Sequence, residues 1–137
     1  VAVAIPAGYS GTPLPKKLGI KPGTVLRLIG APGGFRETLG ELPEGVSVRE
    51  DARGQANLTL WFLSSRKGLD RGIREVTARL EGGSLWMFWP KKASGVVTDL
   101  TQMEVREAGL AAGLVDYKVC AVDAIWSGVL FTRRKGK

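Results

Sequence analysis

Histidine is absent from this chain of 137 residues, and cysteine occurs once, at Cys120. Without histidine there is no Ser-His-Asp triad, no imidazole general base and no His-containing zinc site. A single thiol excludes an intramolecular disulfide and a multi-cysteine metal site, and its scarcity suits a cytoplasmic protein. Long apolar runs are missing as well: none approaches the ~18 consecutive residues of a transmembrane helix, so no membrane partner is expected. The apolar opening Val1–Ala4 lacks a basic flank and stops at Pro6, which argues against a signal peptide. Internal repeats and low-complexity tracts are also absent.

What remains is ordinary in composition: 44% hydrophobic and 24% charged residues, the profile of one globular domain. Net charge is +7, and the tail Arg133-Arg134-Lys135-Gly136-Lys137 holds four of those charges, leaving +3 elsewhere. Such a tail can touch nucleic acid or an acidic membrane surface; more often it is a flexible, solvated end that keeps the protein soluble.

Punctuation by proline and glycine divides the chain. Residues 1–23 contain Pro6, Pro13, Pro15 and Pro22 and read as an extended lead-in, with one helical turn at Lys16-Lys17-Leu18 before Gly19. A single domain follows over residues 24–132. Its first strand is Thr24–Ile29, and a glycine-rich turn, Gly30–Gly34, leads to a helix over Phe35–Leu42. Val46–Val48 reads as a short strand. Leu58–Leu63 and Leu85–Trp89 are apolar on both faces, as central strands are, which makes Trp61, Trp86 and Trp89 core residues. Between them Leu69, Ile73, Val76 and Leu80 fall on one helical stripe that Ser64 or Ser65 can cap. A third helix runs from about Asp99 to Ala112, with either Asp99 or Thr101 as its cap. In Val115–Val122, Asp116 and Lys118 alternate with apolar neighbours, which suits an edge strand with one wet face. A turn over Asp123–Gly128 is too short for a parallel crossover, so Val129–Phe131 forms an antiparallel hairpin with it.

This alternation predicts an α/β fold: a small Rossmann-like three-layer sandwich with a mainly parallel sheet ending in an antiparallel hairpin. The strands at 25–29, 58–63 and 85–89 should be neighbours, with the first helix on one face and the later two on the other. One helix cannot cover a whole face, so Leu14, Leu18 and Ile20 of the lead-in, or a second subunit, should complete it. Both a monomer and a homodimer fit. The link from Val48 to Leu58 leaves the short strand's placement open.

Four stretches, Gly8–Ile20, Trp89–Gly95, Gly113–Asp123 and Trp126-Ser127-Gly128, resemble the bacterial family catalogued as domain of unknown function 3052. The resemblance covers nearly the whole chain, and Trp89-Pro90-Lys91-Lys92-Ala93-Ser94-Gly95 and Trp126-Ser127-Gly128 are its most specific parts. It implies a small Rossmann-like fold and carries no established activity. The closing helix, strand and hairpin also look like the end of a methyltransferase-type sheet, an analogy of fold that does not itself give function.

In an open parallel sheet, ligands sit beyond the carboxyl ends of the strands, where strand order reverses. The loops expected there bring Gly30, Gly33, Gly34, Arg66, Lys67, Lys91, Lys92, Ser94, Asp123, Trp126 and Ser127 to one rim. Glycine backbone, a helix start and lysines favour a small anionic ligand, a phosphate or carboxylate. The loop reads G-x-x-G-G, and Pro32 removes one N–H; Glu50, twenty residues after Gly30, stands near the spacing of a ribose-binding acid. The preceding strand lacks the acidic residue of typical AdoMet sites, and a tight turn plus a surface acid explains the same residues. Trp126 either offers a ring for stacking or folds back on the core. Cys120, inside a strand, reads as a small buried hydrophobe.

Three functions fit. The first is a ligand-binding or regulatory protein with an anion-accepting rim. The second is a group-transfer enzyme, AdoMet-dependent and methyltransferase-like, using Lys91, Lys92 or Asp123. The third is a nucleic-acid-binding module acting through Arg133–Lys137 and the rim lysines. The residues name no cofactor.

Overall fold

A computed structural model describes residues 13–50, 55–80 and 82–133. The start of the lead-in and residues 134–137 of the basic tail lie outside the described residues. In chain order the elements are α1 (Leu14–Leu18), β1 (Val25–Ile29), α2 (Phe35–Leu39), β2 (Ser47–Arg49), β3 (Leu58–Phe62), α3 (Arg66–Ala78), β4 (Ser84–Pro90), a 3₁₀ turn (Lys92–Ser94), α4 (Gln102–Ala111), β5 (Leu114–Ala121) and β6 (Trp126–Arg133). They form one six-stranded sheet in the order β2-β1-β3-β4-β6-β5. The four strands from β2 to β4 are parallel; β6 runs antiparallel to both β4 and β5.

Two-faced apolar strands require a cover on each side, and two separate cores result. On one face Leu28, Leu60, Phe62, Trp86 and Phe88 pack under Phe35 and Leu39 of α2, together with Leu14, Leu18 and Ile20. On the other, Trp61, Met87, Trp89 and Phe131 pack under Leu69 of α3 and Val105 of α4. The division of helices between faces follows from where strand order reverses. From β1 the chain moves outward to β2; it then returns past β1 to β3 and continues the other way to β4. This settles the short strand: β2 pairs parallel with β1, Val25 opposite Ser47. β2 and β3 flank β1, about 9.6 Å apart at ~4.8 Å per strand spacing, a distance the connecting residues easily span.

Several boundaries differ from the sequence reading. α2 stops at Leu39 because Gly40, at φ 77°, leaves the helical region, and Leu42 packs against the core from beyond the helix. α4 is capped by Thr101 in a full capping box with Glu104, not by Asp99, whose carboxylate goes elsewhere. β6 is longer than Val129–Phe131, since its ladder with β4 runs from Pro90–Trp126 to Leu85–Phe131. Arg133, expected in the flexible tail, is its last residue. The simple alternation in β5 also fails. A register irregularity between Asp116 and Lys118 sends the first toward α4, where it pairs with Arg106 at 2.8 Å. Lys118 instead reaches the Lys17 carbonyl on α1, also at 2.8 Å. Tyr117 and Val119 are left 61% and 50% exposed. No helix among the described residues is long and apolar enough to cross a membrane.

Candidate functional site

Parallel strands β1, β3 and β4 deliver their carboxyl ends to one rim, and strand order reverses between β1 and β3. At that point the backbones nearly touch. Gly30 has φ 69°, and a Cβ there would lie 3.0 Å from the Phe62 carbonyl oxygen, so glycine is required twice over. Phe62 is the hub of the rim's floor. Its ring meets Phe35 edge-on at 4.7 Å and Trp126 edge-on at 5.2 Å, and stacks on Phe88 at 4.8 Å between centroids. Trp126 is therefore half-buried and folded onto the core. One row of aromatic contacts joins the start of α2 to β3, β4 and the start of β6.

Beside the glycine loop lies a hollow of about 290 Å³ bordered by Pro32, Gly33, Gly34, Arg36, Glu37 and Glu50. Glu50 arrives there because β2 pairs beside β1, so an acid twenty residues downstream stands next to Gly30–Gly34. Arg36 Nη2 lies 2.9 Å from Glu50 Oε2, both side chains more than half exposed, a pairing that contributes little to stability. The hollow thus offers a carboxylate acceptor and a guanidinium donor side by side. The expected helix dipole is minor, since α2 has five residues and its Phe35 N–H is taken by the Pro32 carbonyl at 3.1 Å. Glu50 also borders a second hollow, about 230 Å³, with Arg27, Thr59 and Glu75 on the α3 face of the sheet.

The lysine loop is built from its backbone. Lys91 donates its N–H to the Ile125 carbonyl at 2.6 Å, fixing the loop to the β5–β6 turn. Ser94 is fully used: its hydroxyl donates to the Lys91 carbonyl at 2.6 Å and accepts the Val96 N–H at 3.1 Å. Asp123 Oδ1 accepts the N–H groups of Ile125 and Trp126 at 2.8 and 2.9 Å, so this acid closes the turn. Ser127 sits half-buried in the ladder opposite Trp89. Lys91 is half-buried and Lys92 exposed, each on a fixed backbone.

Arg66 does not join this group. Its guanidinium meets Asp70 at 3.1 Å and Glu104 at 3.9 Å and borders a groove between α3 and α4. An i,i+4 carboxylate on its own helix and an acid in the first turn of α4 outcompete the rim for it. The start of α3 is likewise satisfied from within: Asp99 accepts the Arg66 N–H at 2.7 Å, and Ser65 accepts that of Gly68 at 3.0 Å. Lys67 stays exposed in that first turn. Arg36, Phe62 and Asp99 carry no sequence motif; only the apposition of distant segments exposes their roles.

Cys120 is half-buried against the first core, and burial pushes its thiol up, with Lys17 and Lys118 acting weakly in the opposite sense. Of the tail, only Arg133 is among the described residues, and it lies away from the rim lysines. Antiparallel β6 carries Arg133 to the amino ends of the parallel strands, the opposite edge of the sheet from Lys91.

No family model and no curated protein matches the chain. Solved structures do match it in fold. A SAM-dependent methyltransferase from Aquifex aeolicus superposes with a TM-score of 0.62 at 13% identity, covering 87% of both chains. Magnesium protoporphyrin IX methyltransferase from Synechocystis, with bound SAH, gives 0.55 at 9% identity over 82% of this chain and 75% of that one. An O-methyltransferase family 2 protein from Planctomyces limnophilus gives 0.57 at 13% identity, over 82% of this chain and 50% of the other. Identities this low establish the Rossmann-like fold and nothing beyond it.

Proposed function

We propose that this protein binds a small anionic ligand, a nucleoside carrying a negatively charged group, at the carboxyl rim of its sheet. One observation carries the reading: Glu50 and Arg36 stand together beside the Gly30–Gly34 loop, at the point where strand order reverses. A carboxylate there can accept from sugar hydroxyls, and the guanidinium, released from it, can take the anion. Gly33 and Gly34 let a ligand approach the backbone, Gly30 makes the tight turn against Phe62, and Lys91 and Lys92 supply further positive charge from the neighbouring loop. In this reading Trp126 and Ser94 hold the rim's shape. The reading keeps the kinship with domain of unknown function 3052, carried by the lysine-bearing and Trp-Ser-Gly stretches.

The sheet order and the fold shared with methyltransferases favour a second reading, group transfer from AdoMet. The residues fit that cofactor in part: Glu50 is in place for a ribose, but Leu28 and Ile29 offer no acid ahead of the loop, and Pro32 lacks an N–H. Lys91, Lys92 and the free oxygen of Asp123 would then be the acid–base groups.

Calorimetric titration with ATP, AdoMet and SAH tests both. A phosphorylated nucleoside that binds the intact chain, and binds at least about tenfold more weakly to Glu50→Ala and to Lys91→Ala/Lys92→Ala, supports the first reading. AdoMet or SAH binding alone favours the second. Exposed lysines contribute little to stability, so the double variant should melt like the parent. If it unfolds readily, or binds unchanged, the lysines are no part of the site.

A further inference from the structure

The net charge of +7 is not spread over the molecule. α3 with its capping Arg79 carries Arg66, Lys67, Arg71, Arg74 and Arg79 against Asp70 and Glu75. Residues 133–137 carry four cations and no acid. Outside these two segments eleven Lys and Arg balance eleven Asp and Glu, so the whole excess belongs to them. They are distant in sequence, yet Arg133 Nη2 donates to the Thr77 carbonyl at 2.6 Å, across 56 residues. β6 therefore ends against the last turns of α3.

The shape there is a groove of about 670 Å³ between α3 and α4, with Ala78, Ala108 and Ala111 among its lining and Arg66, Arg74 and Arg133 on its walls. Thr77 also borders it, buried, its hydroxyl without a hydrogen-bond partner among the described residues. Of the two acids on the walls, Asp70 is held by Arg66, and the other is Glu107. Arg71 and Arg74 are exposed and make no ion pair among the described residues. Arg66 and Arg79 are paired with Asp70 and Glu75, both at 3.1 Å, whereas the Arg71 and Arg74 charges are left uncompensated, and a polyanion relieves their repulsion while releasing its own counterions. Among the described residues no aromatic side chain lines the groove, so unpaired bases find nothing there to stack on.

We propose that the surface formed by α3 and the end of β6 docks the phosphate backbone of double-stranded nucleic acid, without sequence preference. Its groove shares no lining residue with the hollow beside Gly30–Gly34 or with the Lys91–Lys92 loop, where the ligand is proposed.

Fluorescence anisotropy with mixed-sequence DNA and RNA duplexes of about 20 base pairs tests this on the full chain. Binding to at least one duplex should weaken by about a hundredfold between about 50 and 200 mM salt. Arg71→Gln/Arg74→Gln should bind about tenfold more weakly at the lower salt, with a salt slope shallower by about two. Arg134→Gln/Lys135→Gln/Lys137→Gln should act similarly, and it serves as a second variant should the first lose its circular-dichroism signature. Lys91→Ala/Lys92→Ala should bind as the parent does. The proposal is overturned if neither duplex binds at about 50 mM salt, or if the rim double variant alone weakens binding. Tighter binding of a single strand, or equal binding of poly-glutamate, overturns it too.

Discussion

Trp86, wholly buried in the middle of β4, donates its indole N–H to the carbonyl of Leu18, 2.9 Å away. Leu18 ends α1, so its carbonyl has no partner within the helix, and the core indole supplies one. Gly19, at φ 82°, turns the chain away and closes the helix on the Lys16 carbonyl. Lys17 reaches the Ala121 carbonyl at 2.9 Å while Lys118 reaches the Lys17 carbonyl at 2.8 Å, stitching α1 to β5 in both directions. A five-residue helix is too short to persist by itself and exists here as a piece of the core.

Removing its anchor should therefore cost as much as a mutation in the sheet. Leu18→Ala is expected to lower stability by about 2–5 kcal/mol. Trp86→Phe should cost about 1–3 kcal/mol for the orphaned carbonyl, before any cavity is counted. Urea unfolding gives both values. A Leu18→Ala loss under about 0.5 kcal/mol would mean that α1 is not docked.

Gly109 shows packing overriding propensity. Replacing a mid-helix glycine with alanine normally gains about 1 kcal/mol. In α4, however, a Cβ at 109 would overlap the Phe131 ring. Gly109→Ala should destabilise by about 1–3 kcal/mol, with the sign reversed from that of an exposed helix. A raised melting temperature would contradict this contact.

At the start of α4, Thr101 accepts the Glu104 N–H while Glu104 accepts the Thr101 N–H at 3.0 Å. Thr101→Ala should cost about 1 kcal/mol and Thr101→Ser nearly nothing, measured by the same unfolding curves. Equal losses for the two would place the effect in the threonine methyl rather than the cap.

Cys120 gives the pH dependence. Burial raises its thiol above the ordinary range, so the folded chain holds a proton that the unfolded chain releases. The contribution to stability is whole below about pH 8.5 and is lost as pH rises further, and Cys120→Ser should flatten that slope. Iodoacetamide at about pH 8.5 should also label the native protein more slowly than the urea-unfolded one. Equal rates would show the thiol to be open and ordinary.

The types of element were determined by the sequence, because each rests on a local signal. Two-faced runs such as Leu58–Phe62 and Ser84–Pro90 demand a buried parallel sheet, and Leu69, Ile73, Val76 and Leu80 make one helical stripe. Proline and glycine mark where many of them stop, and reversal of chain direction assigns the helices to two faces. Partners were another matter. That Asp99 holds Arg66, that Arg36 holds Glu50 and that Arg133 meets Thr77 are pairings across 33, 14 and 56 residues. Periodicity encodes which face a side chain takes, never which distant group waits there. The candidate site divided along the same line: its loops were legible, but Arg66 went to nearer carboxylates and Trp126 to Phe62. In β5 a single register irregularity broke the expected alternation and left Tyr117 and Val119 exposed beside Lys118, since a strand's alternation survives only while its register does.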